Sequence, residues 1–406
     1  MSDRSMTGDS PETDRLAAEL QVSSTRAAAV SAVSHDLPQP TRVTASQYAD
    51  PLHAPLRDEE LVQHESSPLP GDGHLLNETP GKFEGQMPGA ASGGGTSGGG
   101  GGHGGIGQML APALLAQCDG RLSDIHWFRT DWQRGGALTG YAKFIDDAGV
   151  TQDAVLKMPV PPCERHWLVE LQNAPDVVPK VYAHSDMIGG YDLAWVIMER
   201  LPHGPLSPSW AGVEFDLLAQ AAGRFYEASA TVPLRGGRRE RDWLAMYEKA
   251  RRHVLDRAVP DAQRWKAALK KAHRRLDKWI AVWDERPSDH WVHGDLHLGN
   301  AMTRCGPPGG PALLFDFAWT RVGNWIEDGV YLEHLFWAQR ERLNGRKLIS
   351  MLAHQRRDRG LPVGEDWPQL ADAGRALMAM STPATLYDHG NAPHIAASLE
   401  VLERYL

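Results

Sequence analysis

Between Gln108 and Leu201, apolar residues gather in short runs separated by turn-forming residues. The run MLAPALLAQC reads as an amphipathic helix. After it come IHWFRTDWQ, ALTGYAKFID and VTQDAVLKMPV, parted by RGG and DDAG, which predict three strands of an antiparallel meander. CERHWLVELQNA follows with Trp167, Leu168 and Leu171 at helical spacing, its end bracketed by Pro175 and Pro179. VPKVYAHSDMIGGYDLAWVIMERL supplies two further strands with Gly189 and Gly190 in the turn between them. The pattern therefore predicts a five-stranded sheet with one helix inserted after the third strand.

From Phe215 the period becomes helical. Long segments run over Phe215–Thr231, Arg241–Arg257 and Asp261–Trp283. A β-rich stretch, His290–Phe317, interrupts them; helices resume at Ile326–Arg342 and continue to Leu406, with no internal repeat. The expected fold class is α+β in two lobes, a β-lobe over 108–202 and a mainly helical lobe over 203–406.

Residues 1–107 have a different character. They are rich in Ser, Thr, Pro, Gly and acidic residues and almost lack aromatics, so they bury too little apolar surface to offset the entropy of ordering. A disordered acidic tail is expected, ending in a flexible glycine tract, Gly93–Gly105, with a transient helix over Thr13–Val22, where Leu16, Leu20 and Val22 share a face. The formal net charge is −9, concentrated in this tail, which leaves the folded part near neutral and argues against a nucleic-acid partner. The basic runs RGGRRERDW, KARRHVLDR and ALKKAHRRLDKW interleave with acids at helical spacing and read as solvated helix faces. The N-terminus lacks an apolar signal core, and no apolar run reaches the ~20 residues of a membrane span. Cys118, Cys163 and Cys305 are too far apart to suggest a metal or redox motif. The expectation is a soluble, cytoplasmic protein without a membrane partner; any protein partner of the tail is left open.

The strongest chemical signal is His293-Gly294-Asp295-Leu296-His297-Leu298-Gly299-Asn300, followed across the turn RCGPPGGPA by Leu313-Leu314-Phe315-Asp316-Phe317. Asp295 and Asn300 stand five apart in a loop, the spacing of a kinase catalytic loop. There an Asp orients the attacking hydroxyl and an Asn holds a metal on the phosphates. Asp316, at a strand end, matches a second metal ligand.

HGDLHLGN resembles the HGDxxxxN signature of the aminoglycoside phosphotransferases, choline and ethanolamine kinases and their relatives. The resemblance covers roughly residues 108–406. It implies a protein-kinase-like fold and ATP and Mg²⁺ as cofactors, with a small-molecule alcohol as acceptor. It also implies site residues. Asp295 would be the catalytic carboxylate, and Asn300 and Asp316 the metal ligands. Lys157, in AVLKMP on the third strand, would hold the phosphates. Glu164, spaced as ExxxLxxL with Leu168 and Leu171, would orient that lysine, with Glu170 as the competing candidate. The segment Trp195–Leu201 resembles the hinge, so Met198, Glu199 and Leu201 would meet adenine. Gly135 and Gly136, with Gly140, would cover the phosphates, although no clean GxGxxG is present. Asp316-Phe317-Ala318 resembles the family's DFG variant. Gly323 and Asp328 resemble its glycine-and-aspartate segment, in which the aspartate is structural.

Plainer readings stand beside these. Asp295 and Asn300 are also turn-capping residues, Lys157 an edge-strand charge, and Glu164 a solvated helix residue. His293 and His297 flank an aspartate in a zinc-like spacing, although the resemblance favours a brace for the loop. Trp319, Trp325, Tyr331 and Trp337 suit either an aromatic box for a quaternary ammonium or a core. His389 and His394 have no evident partner in the sequence. If the basic helices flank the cleft, a polycationic acceptor is disfavoured. Two rival classes are a regulatory pseudokinase and a protein kinase. The full Lys, Asp, Asn, Asp set argues against the first, and the absence of an APE-like segment after Asp316 argues against the second.

Overall fold

The structure, a computed structural model, describes residues 104–129, 137–256, 259–306, 308–385 and 392–406. The expected tail up to residue 103, its Thr13–Val22 helix, Gly135, Gly136 and His389 lie outside the described residues.

The first described element is α1 (Gly104–Gln117), which begins inside the segment assigned by sequence to the tail. Three strands follow, β1 (Leu122–Arg129), β2 (Leu138–Ile145) and β3 (Thr151–Met158), then α2 (Pro162–Glu170), β4 (Val181–Ser185) and β5 (Trp195–Glu199). All neighbouring strands pair antiparallel, in the order β1-β2-β3-β5-β4. This is the expected five-stranded sheet with its inserted helix. Strand alternation then assigns the two faces. On β3, Ala154, Leu156 and Met158 are buried in a small core with Leu114 of α1, Phe144 of β2 and Ile197 of β5. Lys157, between Leu156 and Met158, projects from the opposite face, and it pairs across the sheet with Thr139 and Val196.

The second, larger core is helical. It joins α3 (Val213–Ser229), α4 (Trp243–Asp256), α5 (Ala262–Asp284), α6 (Trp325–His334), α7 (Leu348–Asp358), α8 (Trp367–Thr385) and α9 (Ala392–Glu403). Expected and observed helix limits differ by one or two residues for the first three. The expected Ile326–Arg342 helix breaks after His334 into α6 and a 3₁₀ segment, Trp337–Leu343, which is itself kinked at non-helical Gln339. Although α2 belongs by chain order to the sheet, its apolar side packs on the helical core. The Trp167 indole meets Phe225 and Trp291 edge-on, at centroid distances of 5.9 and 4.8 Å. That packing fixes the helix carrying Glu164 relative to the second lobe.

The β-rich interruption resolves into two short antiparallel pairs. β6 (His290–Val292) pairs with β9 (Arg321–Gly323), and β7 (Ala301–Thr303) pairs with β8 (Ala312–Leu314). The β7–β8 hairpin joins the sheet lobe through Leu314 N–H to Val177 O (2.8 Å), and the segment that follows that lobe bonds to the hairpin through Leu206 N–H to Ala301 O (3.0 Å). The described cysteines are free, Cys118 and Cys163 buried and Cys305 exposed. Among the described residues no helix is long and apolar enough to cross a membrane.

Candidate active site

Asp295 lies in the loop between β6 and β7, and three elements hold it. The loop is anchored first by Asp328, buried near the start of α6, which accepts from the N–H groups of His293 (2.9 Å) and Gly294 (2.8 Å) and from the Tyr226 hydroxyl (3.0 Å). Burial pushes the Asp328 carboxyl up, while His293 and the two amides pull it back. Gly294 has φ of +80°, and a Cβ there would run into the Trp319 carbonyl and Arg321, so only glycine fits this turn. The α6 N-terminus is itself fixed by a capping box. Asn324 accepts from Ile326 N–H (3.0 Å) and Glu327 accepts from Asn324 N–H (3.0 Å). Glu327 is in turn clamped by Arg286 (3.0 Å) and Arg321 (2.9 Å).

One turn along α6 from Asp328, on the same face, the Tyr331 hydroxyl donates to Asp295 Oδ1 at 2.7 Å. Asn300 Nδ2 donates to Asp295 Oδ2 (3.1 Å) and to its backbone carbonyl (3.0 Å). His297 Nε2 lies 3.5 Å from the same Oδ2, while its Nδ1 accepts from Gly299 N–H (2.9 Å), which leaves the proton on Nε2. Burial opposes ionisation of Asp295, but His297, the Tyr331 hydroxyl and His293 outweigh it and hold the carboxyl down at about 2.

His293 is fully buried. Its Nδ1 accepts from Asp295 N–H (3.3 Å) and its Nε2 meets Phe315 O (3.2 Å). Both ring nitrogens are thus used to brace the loop, and the zinc reading of His293 and His297 is not met. No group of three or more His, Cys, Asp or Glu gathers for a metal among the described residues.

The β7–β8 register places Asn300 beside Asp316. Ala301 pairs with Leu314, so Phe315 N–H reaches Asn300 O (3.2 Å) and the next residue is Asp316. Asp316 adopts φ 64°, ψ 61°, a left-handed conformation that turns the chain into the 3₁₀ turn Phe317–Trp319. Its Oδ1 lies 3.9 Å from Lys157 Nζ. Lys157 Nζ also donates to both carboxylate oxygens of Glu164, at 2.6 and 2.7 Å. Glu164 rather than Glu170 therefore meets the lysine. Glu164 is 1% exposed, and burial pushes its carboxyl up against the pull of the Lys157 ammonium.

Met198 and Glu199 end β5 beside β3, paired with Val155 and Ala154, and Leu201 is buried just beyond. The Glu199 carboxylate is bound by Arg304 at 2.6 and 2.8 Å, and Arg304 also reaches Asp176 at 2.9 Å. Arg304 follows β7, so this cluster ties the end of the sheet to the hairpin that carries Asn300.

The four aromatics do not form one box. Trp325 and Trp337 are buried in the helical core, Tyr331 serves Asp295, and Trp319 lies beneath Arg239. His394 does have a partner, the buried His334, at 3.1 Å between Nε2 atoms. Tyr331 is the site residue that sequence reasoning assigned to other roles. Its only signal was its place three residues after Asp328, one turn along the same helix.

The model of the phosphotransferase enzyme family, APH, matches residues 139–372, more than half of the chain. The chain belongs to the phosphotransferase enzyme family. The matched span runs from β2 to α8 and holds Lys157, Glu164, Asp295, Asn300 and Asp316, and the two lobes form the protein-kinase-like fold of such phosphotransferases. No curated protein matches the chain. Solved structures similar in shape include a microcompartment-associated aminopropanol kinase, at 16% identity over 70% of this chain and 92% of that one, TM-score 0.47. An aminoglycoside phosphotransferase from Alicyclobacillus acidocaldarius is 16% identical over 73% and 90%, TM-score 0.46. Aminoglycoside phosphotransferase APH(4)-Ia is 17% identical over 73% and 97%, TM-score 0.42.

Proposed function

We propose that this phosphotransferase is an ATP-dependent kinase that moves the γ-phosphoryl group of ATP to a hydroxyl of a small molecule. The observation that carries this reading is the joining of two clusters. Lys157, held by Glu164, comes within 3.9 Å of Asp316, and Asp316 follows the residue bonded to Asn300, whose amide holds Asp295. In this reading Lys157 binds the nucleotide phosphates and Glu164 keeps its ammonium aimed. The end of β5, with Met198, Glu199 and Leu201, receives adenine, and the β1–β2 turn with Gly135 and Gly136 covers the phosphates.

Asn300 and Asp316 are the metal-holding pair. The donor set suits Mg²⁺, which takes one or two protein oxygens and completes its shell with phosphate and water. With Asn300 Nδ2 on Asp295, its amide oxygen is turned away from that carboxylate. When bound, the ion neutralises charge on the phosphates.

Asp295 faces the acceptor. A carboxylate held at about 2 is a weak base at neutral pH, so its first task is to accept a hydrogen bond from the hydroxyl and orient its lone pair. The proton transfers to it late, as the oxygen acquires its bond to phosphorus and loses basicity. Positioning and charge neutralisation account for the rate. The chain then acts in the cytoplasm as a soluble enzyme.

The test is ATP consumption by the full chain over a panel of hydroxylated acceptors, with Asp295→Ala alongside. An acceptor-dependent turnover lost by at least about a hundredfold in the variant, with ATP affinity retained, is expected. Equal turnover in the variant refutes the assignment.

A further inference from the structure

The chain leaves the sheet lobe at Glu199, and the segment that follows is bonded to the hairpin that begins at Asn300. His203 N–H donates to Thr303 O (3.3 Å), Thr303 N–H donates back to His203 O (2.7 Å), and Leu206 N–H reaches Ala301 O (3.0 Å). Gly204 permits this approach, since a Cβ there would run into Met302. Side chains close the same joint. Arg304 donates Nε and Nη2 to the two carboxylate oxygens of Glu199 (2.6 and 2.8 Å) and Nη1 to Asp176 (2.9 Å). Asp176 stands in a left-handed turn, φ 57°, and its carbonyl accepts from Arg224 Nε of α3 (2.9 Å). Arg224 Nη2 donates in turn to Ala312 O of β8 (2.8 Å). Two arginines, one from α3 and one from the hairpin, thus meet on one residue of the sheet lobe.

Arg304 is exposed, and an exposed ion pair contributes little stability by itself. What the fork contributes is geometry. A guanidinium bonded through two N–H groups to both oxygens of one carboxylate fixes its distance and its orientation together. Here it fixes the end of β5 relative to Asn300, which stands four residues before Arg304, across the extended strand β7. A nucleotide that meets the chain at Glu199 and Leu201 with its base, and at Asn300 through its metal, spans that separation.

We propose that Arg304 is a positioning residue that acts through Glu199 and holds the adenine end of the nucleotide site in register with the metal end at Asn300. The inference rests on the kinase reading, in which the end of β5 receives adenine and Asn300 holds Mg²⁺. Without the fork each end keeps its own groups, but the two ends no longer meet one nucleotide at the right spacing. The loss therefore falls on the affinity that Mg²⁺ adds, and the affinity of the metal-free nucleotide is spared.

Calorimetric binding to the full chain tests it without requiring turnover. The probe is the non-hydrolysable ATP analogue AMP-PNP, titrated with and without Mg²⁺ into wild type, Arg304→Gln, Glu199→Gln and the double variant. In Arg304→Gln the tightening caused by Mg²⁺ is expected to shrink about fivefold, while the metal-free affinity stays within about twofold. Glu199→Gln should reproduce this, and the double variant should be no worse than either single one, because the two side chains act as a unit. Arg304→Lys keeps the charge without the fork and should not restore the wild-type gain. An unchanged Mg²⁺ gain in Arg304→Gln, equal losses with and without the metal, additive losses in the double variant, or full restoration by lysine overturns the proposal. Failure of the kinase reading shows separately, in wild type, as no binding of the analogue or no tightening by Mg²⁺, and it takes the proposal with it.

Discussion

The Tyr331 hydroxyl donates to Asp295 Oδ1 at 2.7 Å, and it does so from the helix whose Asp328 holds the two residues before Asp295. One helix thus holds the backbone of the loop and, with His297, helps to keep its carboxylate ionised. Tyr331→Phe removes a donor to an ionised group and leaves the packing. A roughly tenfold fall in kcat is expected, the cost of one charge-assisted hydrogen bond. Asp295 stays ionised above about 2, so it contributes no acid limb at neutral pH. Losing the Tyr331 donor raises that value, and the acid limb of the kcat profile should move upward. A profile and kcat identical to wild type would show that the tyrosine only packs.

Lys157 and Glu164 form a pair in which the glutamate is the buried member. Lys157→Met is expected to raise the KM for ATP by about tenfold or more and also to lower kcat, since the ammonium meets phosphate in ground and transition states alike. Glu164→Gln keeps an acceptor for the lysine but removes the charge, so a smaller rise in KM is expected. Steady-state kinetics in ATP at saturating acceptor separates the two effects. An unchanged KM in Lys157→Met would place the nucleotide elsewhere.

Asp328 is placed to act through the loop and not on substrate. Asp328→Asn puts an amide NH₂ against backbone N–H donors at one of its two oxygens. The cost expected for an unsatisfied buried group is about 2 kcal/mol, a few degrees in Tm, with kcat reduced because Asp295 shifts. A thermal melt beside an activity assay checks both. Lost activity with an unmoved Tm would instead make Asp328 a reacting group.

The buried His334–His394 pair shares one hydrogen bond between Nε2 atoms, so one ring must remain an acceptor. Burial holds His394 down at about 4 and, with His394 and Arg241 beside it, pushes His334 well below its ordinary value. Because the folded state binds fewer protons, stability is complete above about pH 6.5. It is lost as the pH falls from there toward 4, while the unfolded chain takes up the protons. From His394 alone, about 2 kcal/mol should disappear between pH 7.5 and 5. Urea midpoints at the two pH values measure it, and His394→Gln should shrink the difference. Equal midpoints in wild type refute the linkage.

Much of this protein is written locally. Strand alternation around Leu156 and Met158 puts Lys157 on the opposite face of β3. The five-residue interval from Asp295 to Asn300, closed by an amide-to-carbonyl bond within the loop, is likewise a property of a few consecutive residues. The order of these motifs along the chain is enough to suggest the family. Other features come only from helices packing across long separations. Packing of Trp167 on Phe225 and Trp291 determines how α2 lies, and Glu164 rather than Glu170 meets the lysine. Tyr331 reaches Asp295 across 36 positions, Asp328 reaches His293 across 35, and His394 finds His334 across 60. A hydrophobic period tells which face of a helix is buried, but not which residue of another element it will meet. That depends on the angle and register at which the helical core closes, and this is why the carboxylate and Asn300 were legible in the sequence and the Tyr331 partner was not.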